Sequence, residues 1–125
     1  RLTADECLAL TQFPDVIAQC CYMIDIHEPG SDTTTCKTLP KGTHYDIPWR
    51  SLVPVRGPDR LVAAGRCISA DSGAMASFRV QPSAMAIGEA AGTGVAFAAL
   101  RGIAVRDLPA EAVQDRLRAT GGILA

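Results

Sequence analysis

Residues 61 to 100 carry the pattern that most limits how this chain can fold. Leu61-Val62-Ala63-Ala64 is apolar without polar alternation and ends at Gly65, as expected of a strand buried on both faces. A polar connection rich in small residues follows. Gln81-Pro82-Ser83 then opens a helix, with Pro82 in the first turn where its missing N–H costs nothing. The pattern predicts a helix from Pro82 to about Leu100, stopped by Gly102. That helix is dense in Ala84, Ala86, Gly88, Ala90, Ala91, Gly92 and Gly94. Each glycine costs about 1 kcal/mol of helix propensity against alanine, so the composition implies close approach of another backbone, a sheet or a flat ligand.

In α/β folds, ligands lie beyond the carboxyl ends of strands, where glycine permits close approach and a helix N-terminus offers free N–H groups. The pattern fits that arrangement. It equally fits an ordinary strand, loop and tightly packed helix, and these residues alone do not separate the two.

Upstream, Thr3-Ala4-Asp5-Glu6 is a capping box ahead of a short helix to about Leu10, and Pro14 breaks it, with a new turn expected at Asp15-Val16-Ile17. Tyr22, Ile24 and Ile26 alternate with Asp25 and His27, which predicts a strand over 21–27 with one polar face. Pro29-Gly30, the threonines from Thr33, Pro40 and Gly42 predict a loop or hairpin excursion over 28–44. Short strands are expected at Tyr45–Ile47 and Ser51–Val55, limited by Pro48, Pro54 and Pro58. A last helix should start near Pro109, bury Val113 and Leu117, turn Arg116 and Arg118 to solvent, and end at Gly121-Gly122.

With 125 residues and 48% hydrophobic content, the chain is long enough for a real core. Twelve basic against thirteen acidic residues give a net charge of -1, which leaves no general attraction to nucleic acid or an anionic membrane. Five cysteines without repeated spacing argue for a reducing compartment, so the expected location is cytoplasmic. No signal-peptide pattern is legible, and the opening at Arg1 rather than Met suggests a segment of something longer.

Cys20, Cys21, His27, Cys36 and His44 match none of the paired spacings by which one turn supplies two zinc ligands, so no metal site is expected. Gly88-x-x-x-Gly92 in an apolar stretch also resembles a membrane helix, but Glu89 and the scarcity of large aliphatics disfavour it. Arg66 and Arg79 flank the strand-to-helix connection, where they either pair with Asp71 or Glu89 or hold an anion. Neither G-x-G-x-x-G after a strand nor G-x-x-x-x-G-K-[ST] occurs, so no complete phosphate-cradling loop is present.

Three separated runs nevertheless resemble one family. They are Tyr45-Asp46-Ile47-Pro48-Trp49-Arg50-Ser51-Leu52-Val53-Pro54, then Arg60 through Ser69, then Ser77-Phe78-Arg79-Val80-Gln81-Pro82-Ser83 through Gly92. With Phe13-Pro14-Asp15 and Tyr22-x-Ile24-Asp25-Ile26-His27-x-Pro29, they resemble, in order, the C-terminal part of FAD-dependent oxidoreductases.

The resemblance implies an α/β architecture, as an α+β fragment. Residues 1–58 would end a substrate-domain sheet, and 59–125 would supply the closing strand and helix of a Rossmann-like FAD-binding domain plus a terminal helix. The glycine-rich ADP-binding half would lie elsewhere. It implies FAD as cofactor, with Ala64, Gly65, Arg66 and Ser69 near the ribityl and phosphate portion and Gln81, Pro82, Ser83 and Ala84 at the isoalloxazine pyrimidine edge. Arg79 stands where related flavoproteins hold a substrate carboxylate, and His44 joins it as a catalytic candidate. Arg66 departs from the acidic residue many flavoproteins carry there.

The implied activity is hydride transfer from a small organic substrate to flavin, although the isolated chain, lacking the ADP cradle, is expected not to turn over. The expected partners are the small-molecule substrate and either the missing N-terminal half or a second copy. The alternative is a non-enzymatic remnant that dimerises or binds a partner through surfaces left uncovered. A metal-binding domain is the third reading.

Overall fold

The computed structural model describes residues 1–27 and 34–124, with His27 by its backbone alone. The loop features expected at Pro29, Gly30 and Thr33, and any part played by the His27 side chain, lie outside the described residues. The architecture is α+β, with two small antiparallel sheets and helices packed around them.

The capping box forms as its residues dictate. Glu6 N–H donates to Thr3 Oγ1 at 3.3 Å, Thr3 N–H donates to Glu6 Oε2 at 2.8 Å, and α1 runs Ala4–Leu8. Asp71 caps α2, Ser72–Phe78, by accepting from Ala74 N–H at 2.7 Å. The same carboxylate accepts from Ala4 N–H at 3.1 Å. One acid thus satisfies the starts of two helices far apart in the chain.

Strand β1, Val16–Cys20, pairs antiparallel with β4, Tyr45–Pro48, placing Gln19 opposite Asp46 and Cys20 opposite Tyr45. Strand β2, Ile24–His27, pairs antiparallel with β3, Thr34–Lys37, whose residues are all exposed. Helix α3, Gln81–Arg101, and helix α4, Ala110–Ala119, both pack on β1. A single cluster of apolar side chains joins them, with Leu2, Ile17, Tyr45, Ile47, Ile87, Val113 and Leu117 among its buried members. Each large side chain so buried contributes about 1.5–3 kcal/mol, which is what holds sheets this small in place.

Helix α3 keeps its expected bounds, with Gly102 at its end, and α4 buries Val113 and Leu117 as the pattern required. The close approach that glycine implied occurs at Gly94, which lies against the Trp49 ring. Gly88 and Gly92, by contrast, are exposed and have no atom within 4 Å of where a Cβ would stand. By length and composition α3 is apolar enough to cross a membrane, and 33% of that stretch is buried inside the fold.

Five local expectations are corrected. Val16–Cys20 is a strand, not a turn, because Val16 and Ala18 through Cys20 find partners in β4, while Ile17, at the irregularity between Val16 and Ala18, is buried in the core shared with α3 and α4. The following strand begins at Ile24 rather than Cys21. Ser51–Val55 is not a strand: Trp49–Ser51 winds into a 3-10 turn closed by Leu52 N–H on Trp49 C=O at 2.9 Å. Leu61–Ala64 forms no ladder; Leu61 is 52% exposed, Ala63 N–H reaches Leu52 C=O at 2.8 Å, and Ala64 is extended as it enters the next turn. A short apolar run becomes a strand only beside another, and none of the described strands flanks it. Finally, the connection before α3 contains α2, which the density of small residues had concealed.

Candidate functional site

The start of α3 has no side-chain cap, because its N-cap residue is Val80. Its first-turn N–H groups therefore keep the partial positive charge of a helix N-terminus. Beside it, Ala64 leads into a 3-10 turn at Gly65–Cys67 that packs on α3. Gly65 enters that turn at φ 66, a left-handed conformation that favours glycine, and no atom lies within 4 Å of its Cβ position. The turn aims Arg66 across the helix start, and its Nε donates to Arg79 C=O at 2.8 Å.

These elements enclose a cavity of about 470 Å³ lined by Arg66, Arg79, Gln81 and Pro82, together with Tyr22, Asp25 and Val80. Arg79 Nη2 lies 3.3 Å from Asp25 Oδ2 and donates to Asp25 C=O at 3.3 Å. Neither arginine takes Asp71 or Glu89 as its partner: Asp71 caps the helices, and Glu89 Oε1 accepts from Thr120 Oγ1 at 3.3 Å.

Beneath the cavity, buried polar groups tie the walls together. Ser83 turns inward, its Oγ donating to Cys20 Sγ at 3.3 Å, so its side chain braces α3 against β1. Tyr45 Oη donates to Ser77 Oγ at 2.8 Å, and Ser77 Oγ donates to Tyr22 C=O at 2.6 Å. Burial pushes the Tyr45 hydroxyl well above its ordinary value, and burial likewise pushes the Cys7 thiol up to about 12. Both groups stay protonated and serve as supports.

Arg66, Arg79, Gln81 and Pro82 are thus brought to one cavity. Ala64 and Gly65 adjoin it through the 3-10 turn, and Ala84 follows half-buried in the first turn of α3. Ser69 does not line it; its C=O instead accepts from Leu2 N–H at 2.9 Å. His44 stands apart and lines a different cavity, so the two catalytic candidates, Arg79 and His44, do not meet. Tyr22 and Asp25 were not anticipated as site residues. The signals for Asp25 were its place on the polar face of the strand and, with Tyr22, in one of the runs that carry the family resemblance. Among the described residues no group of three His, Cys, Asp or Glu side chains is arranged to hold a metal ion.

The FAD dependent oxidoreductase family model matches residues 1–117 of the 125. The chain belongs to the FAD-dependent oxidoreductase family. No curated protein and no solved structure matches it. FAD is the cofactor of this family.

The residues present fit one end of that cofactor. An uncapped helix start, two guanidinium groups and a left-handed glycine with open space beside it suit an anionic or electron-rich ring edge. The sequence offers no glycine-rich cradle for the ADP end.

Proposed function

We propose that this chain contributes the flavin-facing end of an oxidoreductase that moves a hydride from a small organic substrate to FAD. The observation that carries the reading is the uncapped start of α3 opening on a cavity rimmed by Arg66 and Arg79. When bound, FAD supplies the two-electron acceptor. The chain's part is electrostatic. The first-turn N–H groups of α3 favour negative charge developing in front of them, and they are fixed before reaction, so no reorganisation is needed. Arg66 adds a full cation held in place by the Arg79 carbonyl, and Gly65 lets backbone approach the bound group closely. Arg79, braced by Asp25, is the candidate for orienting an anionic substrate.

In this reading residues 59–125 close a Rossmann-like FAD domain and 1–58 end a substrate domain. The ADP cradle is supplied by another stretch of polypeptide, which the absence of G-x-G-x-x-G from the sequence supports. A cytoplasmic setting belongs to the same reading, on the odd number and unrepeated spacing of the five cysteines.

The test has two stages. The natural protein is saturated with FAD, freed of unbound cofactor, and mixed anaerobically with small alcohols, amines and 2-hydroxy acids while the visible flavin absorbance is followed. Bleaching that slows when the donor carbon carries deuterium supports hydride transfer. A protein that retains no flavin overturns the assignment of this cavity. Retained flavin that none of these donors reduces overturns the chemistry.

The exposed face of α3 supports the alternative reading, a surface for a second copy or another partner. Met85 is 74% exposed and Leu100 82%, with Gly88 and Gly92 open between them. Sedimentation giving a monomer at high concentration removes the self-association form of that reading.

A further inference from the structure

A second cavity, of about 480 Å³, opens between β1, the middle of α3 and the chain beyond α4. It shares no lining residue with the cavity at the start of α3. Ile17, Ala86, Leu117 and Leu124 give it apolar walls, and His44 and Glu89 are its chemically distinctive polar groups.

The state of His44 follows from a chain of hydrogen bonds. Asp46 is 2% exposed, and its Oδ2 accepts from Phe13 N–H at 2.9 Å. Asp46 Oδ1 accepts from Gln19 Nε2 at 3.1 Å, and since a carboxylate only accepts, this contact identifies the nitrogen end of the Gln19 carboxamide. The same Nε2 lies 2.9 Å from His44 Nε2. An amide nitrogen only donates, so this ring nitrogen accepts. His44 is therefore the neutral tautomer with its proton on Nδ1, and that N–H has no hydrogen-bond partner among the described residues.

We propose that this cavity binds a small, neutral, largely apolar molecule through an oxygen acceptor that takes the His44 Nδ1–H, with Gln19 and Asp46 as the residues that fix the donor. The volume falls within the usual range for small-molecule sites, and apolar walls with one oriented polar group are the usual composition. The Glu89 carboxylate on the lining selects against anions and in favour of a carbonyl compound. None of this depends on flavin, so the site stands or fails separately from the reading above.

Acetophenone, benzoate and ethylbenzene share an aromatic body and differ in the acceptor, so they serve as probes. Methyl resonances of Ile17 and Leu117 and the ring ¹⁵N signals of His44 are followed by NMR. In the free protein, His44 should show a protonated Nδ1. Acetophenone should shift the methyls saturably and move the Nδ1 signal, with benzoate binding at least about tenfold more weakly. His44→Phe should weaken acetophenone by about fivefold, the worth of one hydrogen bond, and leave ethylbenzene unchanged. Gln19→Met should release the tautomer while the remaining methyl spectrum stays native. A protonated Nε2 in the free natural protein, benzoate binding as well as acetophenone, or no saturable shift with any probe overturns the proposal. None of these three readings needs a variant.

Discussion

Gly94→Ala tests how α3 is seated. A Cβ at Gly94 would stand 2.8 Å from Trp49 Cζ3 and 2.9 Å from Cζ2, and nearer still to Cη2. Atoms do not pack that closely, so the indole must move. Trp49 is 5% exposed, and its backbone N–H is held by Asp15 C=O at 2.7 Å, which leaves the ring little freedom to retreat. Overpacking of this kind costs about 1–3 kcal/mol, while replacing a helical glycine returns about 1 kcal/mol, for a net loss of up to about 2 kcal/mol. Gly92→Ala on the same helix meets nothing within 4 Å and should gain about 0.5–1 kcal/mol. Trp49 is the chain's one tryptophan, so urea unfolding followed by its emission reports both stability and ring environment. The midpoint should fall for Gly94→Ala and rise for Gly92→Ala, with the slope unchanged in both. Adding Trp49→Phe to Gly94→Ala should cost less than the two single changes predict, a coupling read by circular dichroism. A Gly94→Ala protein as stable as Gly92→Ala would refute the argument.

Three further outcomes follow from the same contacts. Asp71→Ala removes the cap of α2 and the acceptor for Ala4 N–H, and should cost about 1–2 kcal/mol in thermal unfolding; an unchanged midpoint would show both bonds to be replaced by water. Gln114 Nε2 donates to Pro14 C=O at 2.8 Å and to Val16 C=O at 3.0 Å, so Gln114→Leu should cost about 2–3 kcal/mol and speed amide exchange in β1, whereas native exchange there would contradict the role. The Cys7 thiol, raised from 9.0 to about 12, binds its proton more tightly in the folded protein. Its contribution is therefore whole below about pH 9 and lost as pH rises toward about 12, at up to about 1.4 kcal/mol per pH unit. Tyr45 is shifted in the same direction and adds to the loss. Urea midpoints should decline through this alkaline window, less steeply in Cys7→Ala; a flat profile would count against burial as the cause.

The parts of the fold that could be read ahead of the structure are those whose causes lie within a turn or two of themselves. Thr3 and Glu6 are three residues apart and cap each other; Gly102 ends α3 beside Arg101; Val113 and Leu117 fall on one face of α4. What could not be read depends on distant partners. Val16 and Ile17 are a strand only because Tyr45–Pro48 lies alongside, and nothing near Pro14 announces that. Leu61–Ala64 has the composition of a buried strand, but composition supplies no neighbour for its backbone. The same division runs through the site. Arg66, Arg79, Gln81 and Pro82 bracket one connection and were found together, whereas Tyr22 and Asp25 reach the cavity from β2 and the turn before it. Helix α2 was concealed because its residues are mostly small, Ser72-Gly73-Ala74-Met75-Ala76-Ser77, and show no wide apolar stripe, although its cap Asp71 lies only three residues before Ala74.

The two arginines at the cavity are not electrostatically equivalent. Arg79 places Nη2 against Asp25 Oδ2 at 3.3 Å, so seen from a ligand its charge is largely answered by a carboxylate that is itself only 21% exposed. Arg66 spends Nε on a neutral carbonyl and forms no ion pair among the described residues. A guanidinium facing a carboxylate a few ångströms away acts as a dipole, whose field falls off faster than that of a free charge. The steady positive potential at the start of α3 therefore comes from Arg66 and the helix. Arg79 can engage an incoming anion only by sharing or exchanging Asp25, which makes its contribution conditional on the ligand. A resident group beside Arg66 and a transient one at Arg79 is the division of labour that this asymmetry favours.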